Sequence, residues 1–308
     1  MSTKFSIQIT TKNRKADLSY SLQRLEKVLE RDDVECMVFD DGSTDGTSEF
    51  VSENYPQIRL SRNQSSKGLM YCRNRMLNAT TAKYAISLDD DAHFLTEEPL
   101  ERIEAHFNQN PKCAVVAFRI WWTKDENQYA STVQKNEIVK GFPGGAHAWI
   151  VEIWSQIENY PEWFEFYGEE DFAGMQLFKK GYTVDYVPEI LVQHRVDLAA
   201  RAIVNKDGAI RYRRAFRAGW YLYFIFYPFS TIPKKLAYSL WMQLKLRVFN
   251  GNFRTIFPLM RAILDVVVNS GKLSRMRKPF TKTEFLNYSK LPESKIYWKP
   301  ENLDSESK

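Results

Sequence analysis

Three clusters of acids could do chemistry in this chain of 308 residues. "FDDGSTDGT" (Phe39 to Thr47) carries Asp40 and Asp41. "YAISLDDDAHF" (Tyr84 to Phe94) drives a run of β-forming residues into Asp89, Asp90 and Asp91. "YGEEDFAGMQLFKKGY" (Tyr167 to Tyr182) opens with Glu169, Glu170 and Asp171. Adjacent carboxylates repel one another and resist desolvation. A strand that delivers three of them to one point either leaves them in water as an acidic turn or gathers them around a cation. Converging carboxylates without Lys or Arg nearby call for a divalent ion. Hard oxygen ligands suit Mg²⁺ or Mn²⁺, and an added imidazole tilts the choice toward Mn²⁺. Such an ion commonly bridges phosphate oxygens. The chain has no GxxxxGK[ST] loop and no GxGxxG after its first strand, so the ion would hold a diphosphate in place of a glycine loop.

The elements that must position these acids alternate. "KFSIQIT" (Lys4 to Thr10) predicts a strand. Asp17 to Arg31 has Leu18, Leu22, Leu25, Val28 and Leu29 at helical spacing. Val34 to Asp40 predicts a strand that runs into a turn. A short strand over Gln57 to Asn63 and a helix from Gly68 to about Asn78 follow, then the strand before the aspartates. This βαβ alternation predicts a mostly parallel sheet that binds at the carboxyl ends of its strands. Thr11 to Arg14, Asp40 and Asp41, and Asp89 to Asp91 all lie at such ends. Beyond them, Cys113 to Ile120 predicts a strand and Gly141 to Glu152 a glycine-rich loop entering one. The acids of 169–171 sit at the favourable end of a helix dipole. Thr183 to Val196 predicts a strand that carries His194.

Composition sets further bounds. Apolar residues make up 44% of the chain, enough for a real core. Cys36, Cys72 and Cys113 are widely spaced and form no CxxC. They indicate neither a disulfide framework nor a zinc site. The N-terminal stretch shows no apolar signal segment, and "GWYLYFIFYPF" (Gly219 to Phe229) is too short to span a bilayer. A cytoplasmic protein is the expectation. Charge is uneven: residues 1–194 carry 21 Lys and Arg against 30 Asp and Glu, while 195–308 carry 22 against 8. The resulting −9 and +14 place an interaction surface in the C-terminal part.

The ordered set "FDDGSTDGT", "SLDDDAHF", "PGGAHAWI" (Pro143 to Ile150), "YGEEDFAGMQLFKKGY" and "VPEILVQH" (Val187 to His194) resembles the family 2 inverting glycosyltransferases of the GT-A fold, of bacterial surface-polysaccharide type. The resemblance covers about residues 4–196. It implies a single Rossmann-like, mostly parallel α/β sheet flanked by helices, with a helical C-terminal appendage. It also implies roles. Asp41 would accept a hydrogen bond from the nucleobase, which favours UDP or dTDP and leaves guanine open, while Asp40 supports the loop; either acid could instead only cap the next helix. Thr10, Asn13, Arg14 and Arg73 would line the donor site. Asp89 and Asp91 form the DxD pair, with Asp91 the direct metal ligand and Asp89 or Asp90 toward ribose and water. His194 would complete the metal shell. Asp171 would be the general base, with Glu170 the runner-up or a ligand of a sugar hydroxyl. Gly144 and Gly145 would let the backbone approach the sugar or diphosphate.

The chain departs from the family's processive membrane synthases, because it has neither a QxxRW-type motif nor transmembrane helices. From Arg195 the motifs stop. Arg211, Arg213, Arg214 and Arg217 precede an aromatic stretch, and Lys234 and Lys235 follow it. That pattern suits a helix lying in an anionic membrane surface at the inner face; a packed appendage or a homo-oligomer interface is the alternative, and nucleic acid is not expected. The expected organisation is a catalytic domain over 1–196, a basic helical region over 197–298 and a polar tail over 299–308. The expected function is metal-dependent transfer of a sugar from a nucleotide-diphosphate donor to a glycan or lipid-linked glycan. A nucleotidyltransferase or a non-catalytic sugar or membrane adaptor are the rival readings.

Overall fold

A computed structural model describes residues 3–122, 132, 134–196, 208–293 and 295. The tail over 299–308 lies outside the described residues. One sheet organises the chain, in the order β3-β2-β1-β4-β8-β6-β9-β5 with β7 paired to β9. Its strands are β1 (Phe5–Thr11), β2 (Val34–Asp40), β3 (Arg59–Arg62), β4 (Tyr84–Asp89), β5 (Ala92–Phe94), β6 (Cys113–Trp122), β7 (Glu137–Val139), β8 (Ala146–Ile150) and β9 (Thr183–His194). The first four are parallel, and β6 and β9 are parallel to each other. β8 runs antiparallel between β4 and β6. Helices α1 (Lys15–Arg24), α2 (Glu26–Leu29), α3 (Thr47–Asn54), α4 (Leu69–Ala79), α5 (Pro99–Gln109), α6 (Val151–Trp154) and α7 (Glu169–Lys179) flank it.

β1 is central, and its residues are buried on both faces: Phe5, Ile7 and Ile9 on one, Ser6 and Gln8 on the other. Burial on both sides is the mark of a parallel strand covered by helices. Register then fixes the site. Thr11 lies opposite Asp40, and Thr10 opposite Asp89, so the first two acid clusters finish at one edge of the sheet. β9 reaches the same edge by an irregular path. Its pairing with β6 passes from Val187 directly to Leu191, skipping Pro188, Glu189 and Ile190. Proline cannot donate to a ladder and is tolerated at such a bulge. Beyond it β9 pairs with β5, which sets His194 opposite Ala92, next to the aspartates.

The C-terminal helices are α8 (Gly208–Phe226), α9 (Ile232–Gln243), α10 (Ile256–Val268), α11 (Ser270–Arg275) and α12 (Lys282–Lys290), with a π-helical turn over Leu244–Val248. They share a core with the sheet: Phe226 packs on Phe172 of α7, and Tyr221 on Phe164. One buried cluster runs from Trp149 and Phe172 to Tyr221, Phe280 and Tyr288. The expected boundary near residue 196 therefore does not divide two cores. The stretch 219–229 also differs from the surface helix expected of it. Trp220, Tyr221, Leu222, Ile225 and Phe226 are buried. Of the arginines before it, Arg213 holds Asp265 of α10 at 2.7 Å and Arg214 holds Glu165 at 2.9 Å. Arg217 is buried, donating to the Phe164 carbonyl at 2.8 Å. These cations tie the appendage together.

Gly174 in the middle of α7 tests that packing. A Cβ there would lie 2.5 Å from the backbone oxygen of Lys140. In an open helix Ala stabilises over Gly by up to about 1 kcal/mol. Here Gly174→Ala is expected to destabilise by about 1–3 kcal/mol through overpacking, read as a lower urea midpoint at unchanged slope. A raised midpoint would show that the 140 loop gives way.

Candidate active site

The loops after β1 and β2 are tied to each other. The Asn13 backbone N–H donates to Ser43 Oγ at 2.8 Å, and Asn13 Oδ1 accepts from Thr44 N at 2.7 Å. Asp40 is buried and holds the turn, accepting from Ser43 N at 2.7 Å and from Ser48 Oγ. Asp41 is filled differently. Its two oxygens take four donors from the 63–68 loop: Asn63 Nδ2 at 2.7 Å, Ser66 Oγ at 2.5 Å, and the N–H groups of Lys67 at 2.7 Å and Gly68 at 2.9 Å. A carboxylate has about four acceptor positions. Burial pushes the Asp41 carboxyl up, but these donors outweigh it and hold it below its ordinary value. A nucleobase would have to displace one of them.

The triplet splits into three environments. Asp90 turns back to β1, accepting from Thr11 Oγ1 at 2.8 Å and pairing with Arg14 Nε at 3.1 Å. Burial pushes it up to about 7, with Arg14 opposing. Asp89 and Asp91 point together. Asp89 Oδ1 pairs with Arg73 at 3.0 Å, and Asp91 Oδ2 with Arg14 at 2.6 Å. Their other oxygens face His194 Nε2, at 3.5 Å for Asp89 and 2.8 Å for Asp91. One donor atom from each of the three residues lies within 4.8 Å of the others. Asp91 Oδ1 is buried and accepts no hydrogen bond of good geometry, although the imidazole nitrogen is close. Two carboxylates and an imidazole whose donor atoms converge in this way fit a divalent cation. Thr10 lies beside this group with its hydroxyl buried and unpartnered.

Gly144 and Gly145 approach this acid cluster closely. A Cβ on Gly145 would stand 3.0 Å from Asp89 Oδ2 and 3.2 Å from His194 Nδ1. One on Gly144 would stand 2.0 Å from Glu170 Oε1 and 3.0 Å from Arg73. A side chain at position 144 would drive Glu170 from its place, and one at 145 would press on Asp89 and His194. Arg73 joins the parts, donating to the Gly144 carbonyl at 2.7 Å and reaching Glu169 at 3.5 Å. Burial of its guanidinium is opposed by Asp89, Glu169 and Glu170, which together hold its pKa above the ordinary value.

The acids of α7 diverge. Glu169 is buried against Arg73. Glu170 meets Gly144 and lies in the field of Arg73. Burial and the charge of Glu169 push it well above its ordinary 4.5. Asp171 faces elsewhere. Its charge interacts with Lys140 and Glu293, and with the hydroxyls of Tyr223, Tyr227 and Tyr288. Its side chain still reaches solvent, yet the enclosing protein pushes it up to about 6. The structure thus brings Glu170, not Asp171, beside Arg73 and the glycine pair. The group around Asp171 had no signal in sequence, since its members lie 31 to 122 residues away.

A family model described as Glycosyl transferase family 2 matches residues 6–164, just over half the chain. Solved structures share the fold. The mannosyltransferase PcManGT from Pyrobaculum calidifontis, in complex with GDP-Man and Mn²⁺, is 16% identical with a TM-score of 0.53, over 94% of this chain and 84% of its own. Residues 1–349 of S. aureus TarS, in complex with UDP-GlcNAc, are 17% identical with a TM-score of 0.54, over 80% and 74%. GalNAc-T7, with UDP, GalNAc and Mn²⁺, is 16% identical with a TM-score of 0.51, over 63% and 43%. The chain spans 40% of a longer TarS chain. Curated protein sequences give no match.

The geometry predicts a metal phenotype. Mn²⁺ titrated into the protein and read by its free EPR signal should bind the wild type. Asp91→Asn should weaken that binding at least about tenfold, since it removes the charge of a shared ligand. An unchanged isotherm would place the ion elsewhere.

Proposed function

We propose that this chain, which belongs to glycosyl transferase family 2 and is a glycosyltransferase of the GT-A fold, moves a sugar from a nucleotide-diphosphate donor to a hydroxyl of a glycan or lipid-linked glycan, with inversion. One observation carries the reading: Asp89, Asp91 and His194 converge beside Arg73, the Gly144–Gly145 pair and Glu170. Asp89, Asp91 and His194 would hold a divalent ion, which when bound stabilises negative charge on a departing diphosphate.

Glu170 is the base this geometry favours. The acceptor hydroxyl oxygen bonds to the anomeric carbon as the bond from that carbon to the diphosphate breaks. The hydroxyl proton passes to a Glu170 carboxylate oxygen. Attack from the face opposite the leaving group inverts the centre. Arg73 keeps Glu170 within reach of ionisation, while burial and Glu169 oppose it. Asp171 would instead hold the wall formed with Lys140 and Glu293. UDP- and dTDP-sugars are the donors to try first, because uracil and thymine offer an N3–H to an acceptor such as Asp41, in exchange for one loop donor.

The raised pKa of Glu170 gives a sign. The base form is scarce at low pH, so kcat/KM should climb with pH along a limb lying above the ordinary 4.5 of a glutamate. Glu170→Gln should lose about 10²–10⁴-fold in transfer while retaining nucleotide affinity by calorimetry. Asp171→Asn should lose far less. Both are read with a panel of UDP- and dTDP-sugars plus Mn²⁺. Near-normal turnover by Glu170→Gln together with a loss of transfer of that size in Asp171→Asn would return the base role to Asp171.

A further inference from the structure

We propose that the outer face of α9, the π-helical turn and α10 docks the protein on an anionic lipid bilayer, lying in the surface without crossing it. α10 carries apolar residues on two opposite sides, with Arg261 and Asp265 between them. Leu259 and Ala262 are buried against Phe216 and Trp220 of α8. On the opposite side Phe257, Met260 and Leu264 are each about 60% exposed. The patch continues through Phe253 and Phe249 to Trp241, whose ring lies 6.0 Å from that of Phe249. An apolar pocket of about 370 Å³, lined by residues including Phe224, Phe229 and Leu273, borders it. Patches of this kind mark docking surfaces.

Charge selects the occupant. Residues 208–264 contain ten Lys or Arg and no Asp or Glu. Lys234, Lys235, Lys245, Arg254 and Arg261 are exposed around the apolar patch, and the ion pairs of the described residues do not include them. Two copies joined through this face would oppose like charges. A bilayer carrying phosphatidylglycerol offers both the apolar interior and the opposite charge. Among the described residues no helix is long and apolar enough to cross a membrane. The surface assigned here is not the one expected from residues 211–229, which the fold consumes. It stands independently of which acid is the base, since the test reads binding alone.

The test is co-sedimentation of the full chain with vesicles of phosphatidylcholine, with and without phosphatidylglycerol, at low and high salt. Wild type should bind the anionic vesicles and be released by salt or by neutral lipid. Two variants altering only exposed side chains, Phe253→Ser/Phe257→Ser/Leu264→Ser and Lys234→Gln/Lys235→Gln/Arg254→Gln, should each bind at least about tenfold more weakly with unchanged melting. Failure of wild type to bind, binding indifferent to lipid charge, or variants that bind like wild type would each overturn the proposal. A lipid-free dimer that the Phe253→Ser/Phe257→Ser/Leu264→Ser variant turns into a monomer would also overturn it, assigning the face to a second copy.

Discussion

Everything in the crevice is arranged around too much negative charge in one place. Asp89, Asp90, Asp91, Glu169 and Glu170 crowd the ends of β4 and α7, mostly buried. Buried charges persist only when paired. Arg14 divides itself between Asp90 and Asp91, and Arg73 between Asp89 and Glu169. Each arginine thereby fixes a loop: Arg14 the turn after β1, Arg73 the glycine pair through the Gly144 carbonyl. What the arginines leave over is the single point shared by Asp89, Asp91 and His194. The residual attraction for a cation is a remainder, set by how incompletely the protein neutralises itself.

The sheet was largely legible because burial on both faces writes long apolar strands. β2 was read at its true limits, and α4 within a residue at each end. The acid clusters were found because turns after parallel strands must lie at one edge. What stayed hidden depended on distance or on angle. Arg14 and Asp91 are 77 residues apart, and nothing in either neighbourhood announces the pair. The choice between Glu170 and Asp171 turns on about 100° of rotation per helical residue. Adjacent acids at a helix start point to different places, and sequence order cannot say which one meets the crevice. α5 is absent from the expected elements, although Leu100, Ile103 and Phe107 bury at helical spacing.

The basic half was misplaced for a related reason. Arginines ahead of an aromatic run look alike whether the run faces lipid or core. Here two acids far away in sequence, Glu165 and Asp265, draw the arginines inward. The aromatic run follows them into the interior and leaves α10, with its second apolar side, at the surface.

The order of these residues along the chain also matters while the protein is being made. Arg14 and Arg73 both precede the aspartates they neutralise, whereas His194 follows Asp91 by 103 positions. At roughly 5–20 residues per second of synthesis, the acid triplet leaves the ribosome about 5–20 s before the imidazole that completes its cation site. During that interval β1 to β4 can already pair, and the triplet meets cations that are in place before it. A nascent chain can thus form its most repulsive strand end without borrowing an ion from the cytosol, and the ion site closes only after β9 has added itself beside β6.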